Sequence, residues 1–396
     1  MTGAQPQDTD ALLDAYLALV ESPENRARGE KWEPASPAAY YYWQRVPKPT
    51  AGAIPLVVLS MNAFYHHAFG LDLKAFYTDP GSYLRGYLRA CLQKFRWFED
   101  DTHFLPEVPI WLGPSFEPSL FGKGVLYARD SDPWIGPEPV LKVRGDLDRL
   151  EPPDFQRGGL MPVVHRMYEE ISRLVGGRLT VRFPDWLRGP FVLAFHLRGA
   201  ANILMDMVDD PAFVHRLMRF VTDARKDWCE QRAAFLGGAL GPGDLYNDEV
   251  NVPFLSPAFY REYVLPYEIE LSRFHGRIGY WHSCGDTGPL AEAIATIPQL
   301  LMTNISGWTD FDQAAAVYAK TGCPVEANIH PLRDLQQASA GEMRRKVAHL
   351  TRRRTELGIK AMFIRVDSLE LLHGVEKDIG RAQQWLHVAR ECVEAG

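Results

Sequence analysis

The sequence predicts an α/β protein, a (β/α)8 TIM barrel with an N-terminal helical extension. Three observations predict it. From about residue 100, short apolar runs alternate with longer segments of helical periodicity, the pattern of a parallel sheet with helical crossovers. Eight such runs can be counted, the strand complement of a barrel. Residues 101–396 also comfortably exceed the length of roughly 250 residues that such a barrel needs. A doubly wound open sheet is the alternative. However, Gly241-x-Gly243 and Gly122-x-Gly124 both lack the third glycine of a dinucleotide fingerprint.

Residues 1–100 are expected to form the extension. Residues 11–21 read as a short amphipathic helix. Pro34, Pro37, Pro47, Pro49 and Pro55 mark an irregular connector, within which Tyr40, Tyr41, Tyr42 and Trp43 would pin the loop to a core. Asp79 is a good N-cap and Pro80 suits the first helical position. Tyr83, Leu84, Tyr87, Leu88, Cys91, Leu92 and Phe95 then form one apolar stripe. The expected strands are 104–111, 178–184, 191–196, 245–250, 277–284, 299–306, 323–329 and 360–367. Between the later ones, Asp210-Pro211, Ser256-Pro257 and Asp310 start helices. Ser339 and Glu342 form a capping box on a helix that ends at Gly358. The basic stretch Arg344, Arg345, Lys346, Arg352, Arg353 and Arg354 on that helix reads as a solvated face.

Composition removes whole classes of function. With 43 Lys+Arg against 50 Asp+Glu, the net charge of −7 makes no electrostatic case for a nucleic acid or an anionic membrane. Five scattered cysteines form no disulfide framework and suit a reducing compartment. The N-terminus carries acids where a signal peptide carries Lys or Arg. No apolar run reaches the ~18 residues of a membrane span. The expectation is a soluble, cytoplasmic protein. A Walker A loop, a nucleophile elbow, an HExxH helix and internal repeats are all absent.

The sharpest feature is Tyr280-Trp281-His282-Ser283-Cys284-Gly285-Asp286. Side chains two apart on a strand share a face. His282 and Cys284 therefore project together, at the strand end where barrel enzymes place their chemistry. An imidazole and a thiol suit a borderline-soft metal, zinc first. The competing reading makes His282 a hydrogen-bonded interior histidine and Cys284 a small buried hydrophobe. Polar residues also gather at other strand ends: Asn247, Asp248 and Glu249; Asn304 and Ser306; Glu326 and Asn328; Asp367; and His196. Such groups converge on one barrel mouth. Asp185, beside Trp186 after the second strand, is a candidate ligand contact.

These motifs resemble the uroporphyrinogen decarboxylase superfamily, from about residue 100 to the C-terminus. Arg188-Gly189-Pro190-Phe191 through Leu197-Arg198-Gly199, then Asn202-Ile203-Leu204 and Asp209-Asp210-Pro211, look like its central segment. Asn247-Asp248-Glu249, Ser256-Pro257 and Pro266-Tyr267 look like the next stretch. His282-Ser283-Cys284-Gly285-Asp286 is similar to the H-x-C-G signature of the zinc-dependent, corrinoid-linked methyltransferase branch. Asn328-Ile329-His330-Pro331 resembles a G-N-x-x-P turn, with Ala327 in place of the glycine.

The resemblance implies a methyltransferase that moves a methyl group from a methyl-corrinoid to a zinc-activated thiol. The corrinoid would be carried on a partner protein, and the family often forms homodimers. Zinc in that branch takes a second cysteine after the last strand, where this chain has Asp367 and no cysteine. Asp367 is thus the expected third ligand beside His282 and Cys284, with Glu326 or Glu249 next. His196, Glu249 and Asp367 are the expected catalytic groups, and Asn328, Asp248 and Asp185 the expected cofactor contacts. The alternative on the same barrel is a metal-independent decarboxylase or lyase acting on an acid, with His282, Glu249 and Asp367 as acid, base and anchor. The arginine-rich segment with which uroporphyrinogen decarboxylase holds its substrate is not found. A third reading is a tetrapyrrole-binding protein without catalysis.

Overall fold

Eight short strands carry the architecture: β1 (Leu56–Ser60), β2 (Glu107–Pro109), β3 (Thr180–Arg182), β4 (Gly243–Tyr246), β5 (Ile278–His282), β6 (Thr303–Ile305), β7 (Val325–Ile329) and β8 (Met362–Leu369). The computed structural model describes residues 8–34, 39–41, 44–369 and 371–395. Six strands form one parallel sheet in the order β1-β8-β7-β6-β5-β4. β2 and β3 form a parallel pair. Main-chain bonds continue the curl around them. Asp101 N–H donates to Leu56 O at 2.7 Å on one side. On the other, Tyr246 N–H donates to Leu187 O at 2.9 Å, next to the parallel bridge Arg188–Tyr246. The result is the expected TIM barrel.

Alternation along the strands separates two environments. Leu245, Trp281, Val325, Ala327, Ile329, Met362, Ile364 and Val366 belong to the main core beneath the helices. Their neighbours Tyr246, Tyr280 and Phe363 form a separate cluster on the opposite, lumen side, together with Trp32 and Met302. The buried charges Glu326 and Arg365 share that lumen side. Strand polarity then brings every β-strand C-terminus to one rim.

Two expectations are corrected. Residues 191–196 are not a strand but part of the helix Pro190–Arg198. Its Phe191, Val192, Leu193, Ala194 and Leu197 are all buried. A short run that is apolar on every side has no period to distinguish strand from helix, and Pro190 at the first turn favours the helix. The missing strand is β1, inside the segment assigned to the extension. It pairs in register with β8, Val58 opposite Val366, so a boundary at residue 100 cuts off the sheet's first strand. Leu-Val-Val-Leu after Pro55 reads as a fully buried parallel strand only when its partner is known.

The remaining N-terminal residues pack against the barrel. The helix Thr9–Val20 buries Leu12, Leu13, Tyr16 and Leu19, and Tyr16 O–H donates to Leu105 O at 2.8 Å. Trp32 meets Phe363 edge-on at 5.3 Å and donates its indole N–H to Asp101 O at 2.7 Å. In the Pro-rich connector, residues 39–41 and 44–46 pair antiparallel; Pro37, Tyr42 and Trp43 lie outside the described residues. The helix Pro80–Trp97 starts where expected, with Asp79 accepting from Ser82 N–H at 2.7 Å, and Cys91 lies on its buried stripe. The helix Ala340–Leu357 carries the Ser339–Glu342 capping box. Its Arg344, Arg352 and Arg353 pair with Glu391, Asp312 and Glu356 on the surface. Among the described residues no single helix is long and apolar enough to cross a membrane.

Candidate metal centre at the barrel mouth

β5 delivers His282 as its last residue, the turn after it delivers Cys284, which the sequence placed on the strand itself, and the loop after β4 delivers Asp248. That loop is stapled to the end of β5. Asn247 N–H donates to His282 O at 2.7 Å, and Val252 N–H to Asp286 O at 2.9 Å. Gly285 is required here because Asn251 comes so close: a Cβ would stand 2.3 Å from the Asn251 amide carbon. This close packing sets Asp248 beside the strand end.

The three potential ligand atoms lie within 4.8 Å of one another. His282 Nε2 is 3.2 Å from Cys284 Sγ, and Cys284 Sγ donates to Asp248 Oδ1 at 3.2 Å. His282 Nε2 is 3.5 Å from the same oxygen. Burial opposes charge on Asp248. Even so, the Arg188 guanidinium, 2.6 Å from Oδ2, holds it well below the usual carboxylate range, with His282 and Cys284 assisting. Burial, then the nearby charges of Asp248 and Asp367, push the Cys284 thiol well above its usual value. The metal-free thiol therefore keeps its proton.

A chain of buried groups orients the imidazole. Tyr280 O–H donates to Glu326 Oε2 at 2.8 Å, and Arg365 Nη2 stands 2.8 Å from Glu326 Oε1. Having given its one proton to Glu326, the Tyr280 oxygen can only accept from His282 Nδ1, 3.2 Å away. With the ring proton held at Nδ1 in this way, the Nε2 lone pair would be left for a metal between Cys284 and Asp248. Metal-ligating histidines are generally held by such a partner. One imidazole lone pair, one carboxylate with a depressed pKa and one thiol form a donor set that fits zinc, with room for a fourth ligand from solution.

Of the sequence-predicted residues, His282, Cys284 and Asp248 come together. Asp367, expected as the third ligand, does not join them. Its carboxylate pairs with Arg365 at 3.4 Å, and Asp248, expected as a cofactor contact, takes the place beside the pair. Asp367 stays within β8, two residues after Arg365 and held by it, whereas the loop after β4 is bonded directly to the end of β5 through Asn247 N–H and His282 O. Glu249 and His196 form a pair of their own at 2.8 Å. They share a cavity of about 220 Å³ with Asp248, Cys284, Trp111 and Trp134. Asn328, two residues beyond Glu326 on β7, is buried with neither amide atom partnered. Asp185 pairs with Arg232 at 2.8 Å. Sequence reasoning missed Tyr280 and Arg188. The first was accessible from the two-residue spacing to His282; the second had no local signal.

Residues 110–360 match the model of a family described as Uroporphyrinogen decarboxylase (URO-D). A methylated-thiol–coenzyme M methyltransferase of Methanosarcina mazei is 27% identical over 139 residues, 35% of this chain and 36% of that protein. The match thus spans little more than a third of the curated relative. The solved structure of a methyltransferase from Methanosarcina mazei superimposes with a TM-score of 0.57 at 13% identity, covering 97% of this chain and 98% of that one. At that identity the likeness shows a shared fold.

Proposed function

This chain belongs to the uroporphyrinogen decarboxylase family, and we propose that within it the protein is a zinc-dependent methyltransferase that methylates a thiol. The observation that carries this reading is the convergence of His282, Cys284 and Asp248 at the barrel mouth. The methyltransferase names of the relatives support it. Zinc held by these three residues supplies the charge that keeps a substrate thiol deprotonated at neutral pH. The methyl donor in this reading is a methyl-corrinoid on a partner protein, which brings its methyl group to the open mouth.

The chain's own residues do the rest. Arg188 keeps Asp248 ionised and fixes its second oxygen. Tyr280 holds the His282 proton at Nδ1. Glu249 orients His196 through Nε2, leaving Nδ1 of that ring as a polar group for the substrate. Trp111 and Trp134 give the cavity two aromatic walls. The metal-independent lyase reading is less well supported. Its three residues are separately engaged: Glu249 by His196, His282 by Tyr280 and Cys284, and Asp367 by Arg365.

The test combines metal analysis with methyl transfer. Purified protein should hold one zinc per chain, lost in both His282→Ala and Cys284→Ala. Loss of the methylcobalamin absorbance on adding thiol should depend on that zinc. Unchanged metal content in both variants rejects the proposal.

A further inference from the structure

Two chemically different groups stand on the wall of the cavity at the mouth. One is Cys284 with Asp248, from the candidate centre. The other is His196, from the last turn of the helix Pro190–Arg198, with Glu249 from the loop after β4. We infer that this second pair is the proton acceptor of the reaction: Nδ1 of His196 takes the proton of the incoming thiol and holds it until the sulfur has been methylated. The inference rests on the thiol reading above and adds to it the group that receives the proton.

Hydrogen bonding decides which nitrogen is available. His196 Nε2 is 2.8 Å from Glu249 Oε1. An ionised carboxylate only accepts, so Nε2 carries the ring proton and the lone pair is on Nδ1. No group among the described residues bonds to Nδ1. Glu249 Oε2 is buried and without a partner among the described residues, so the ring is the carboxylate's one engagement there. A carboxylate that fixes the tautomer in this way also gives the ring a counter-ion once it is charged.

The rest of the wall offers no such acceptor. Arg188 is a cation, 2.6 Å from Asp248, with nothing to accept a proton. Asp248 and Cys284 belong to the candidate centre. Trp111 and Trp134 bring only an N–H to donate. Glu249 Oε2 is closed off from water and so from the thiol. A cavity of about 220 Å³ has room for a small thiol and a water or two. A sulfur inside it reaches the ring directly or through a water, as proton transfer requires.

The S–H bond breaks, its electron pair stays on sulfur, and an N–H bond forms at Nδ1. The sulfur pair then attacks the methyl carbon of the methyl-corrinoid. The pair from the broken methyl–cobalt bond stays with the corrinoid, and the product is a neutral thioether. With the negative sulfur gone, the imidazolium loses its counter-charge across the cavity and Nδ1 returns the proton to water.

The experiment counts protons. The full chain, loaded with cobalt(II) in place of zinc, is titrated with 2-mercaptoethanol in unbuffered solution containing phenol red. The starting point is about pH 7.5, where a free thiol keeps its proton. A near-ultraviolet charge-transfer band counts thiolate bound to cobalt, and the dye counts protons released. The parent protein is expected to release well under one proton per thiolate. His196→Gln, at equal cobalt content, should release about one proton more than the parent, because the new side chain cannot hold it. A full proton released by the parent overturns the proposal without any variant, and so does a variant that binds the thiol and releases no more than the parent. A cobalt-loaded parent that gives no band with the thiol overturns the thiol-acceptor reading itself, and this proposal with it.

Discussion

Replacing Tyr280 by Phe removes one oxygen from the lumen and keeps the ring. That oxygen is 3.2 Å from His282 Nδ1 and donates to Glu326 at 2.8 Å. Both partners are fully buried. Leaving a buried polar group unpaired costs about 1–3 kcal/mol. Glu326 retains Arg365 at 2.8 Å, so the loss falls mainly on His282. Without an acceptor at Nδ1, the ring proton can move to Nε2, the atom that faces Cys284 and Asp248. A metal would then have to displace it. The expected fall in zinc affinity is about 10–100-fold, equivalent to roughly 1.4–2.8 kcal/mol. Competition with a chromophoric chelator at neutral pH measures it, with thermal melts of the metal-free proteins as the folding control. The variant should lose more of its zinc-induced rise in Tm than of its metal-free Tm. A zinc affinity within about twofold of the parent protein, in a folded variant, would refute the claim that Tyr280 sets the imidazole tautomer.

Asp248→Asn should weaken zinc binding by at least about tenfold, while Asp367→Asn should retain it; elemental analysis after dialysis distinguishes them, and the opposite pattern would restore Asp367 as ligand. Burial pushes Glu268 up to about 7 from 4.5, despite hydrogen bonds from Tyr260, Trp281 and Asn247. The folded state therefore binds this proton more tightly than the unfolded one, and stability falls as the pH rises between those two values, by on the order of 3 kcal/mol. Glu268→Gln should flatten that decline in urea titrations at about pH 5 and about pH 8. Asp244, also pushed up to about 7 by burial, leaves a residual slope of the same sign, and an undiminished slope in the variant counts against the assignment. Asn328→Ala should leave the Tm of the metal-free protein unchanged or raised, because both amide atoms are already without partners; a large drop in Tm in thermal melts would mean the amide is structural.

Local patterning accounts for much of what was legible. The capping residues Asp79, Asp310 and Ser339 act within a few bonds of their own helices, so their chemistry can be read without the fold. His282 and Cys284 lie two apart at the end of one strand, and the two-residue spacing was enough to suggest one side; in the structure the strand stops at His282 and Cys284 stands in the turn that follows. The same rule would have added Tyr280. By contrast, Phe191–Phe195 and Leu56–Leu59 are apolar at every position. Whether such a run becomes helix or strand depends on the neighbour that covers it: the helices around Phe191, or β8 beside Val58.

The sequence by itself determined the class of fold, the strand end at which an imidazole and a thiol stand two residues apart, and the borderline-soft metal this pair would suit, because each follows from residues close together along the chain. Only the tertiary structure decided the third member of the group. Asp248 and Asp367 are equally plausible at the ends of their strands. The choice between them was made by Asn247 bonding across to His282 O, by Arg188 reaching Asp248, and by Arg365 claiming Asp367. Those contacts join residues far apart in the chain, and their outcome rests on which charges the closed barrel brings together, a quantity that no local spacing encodes.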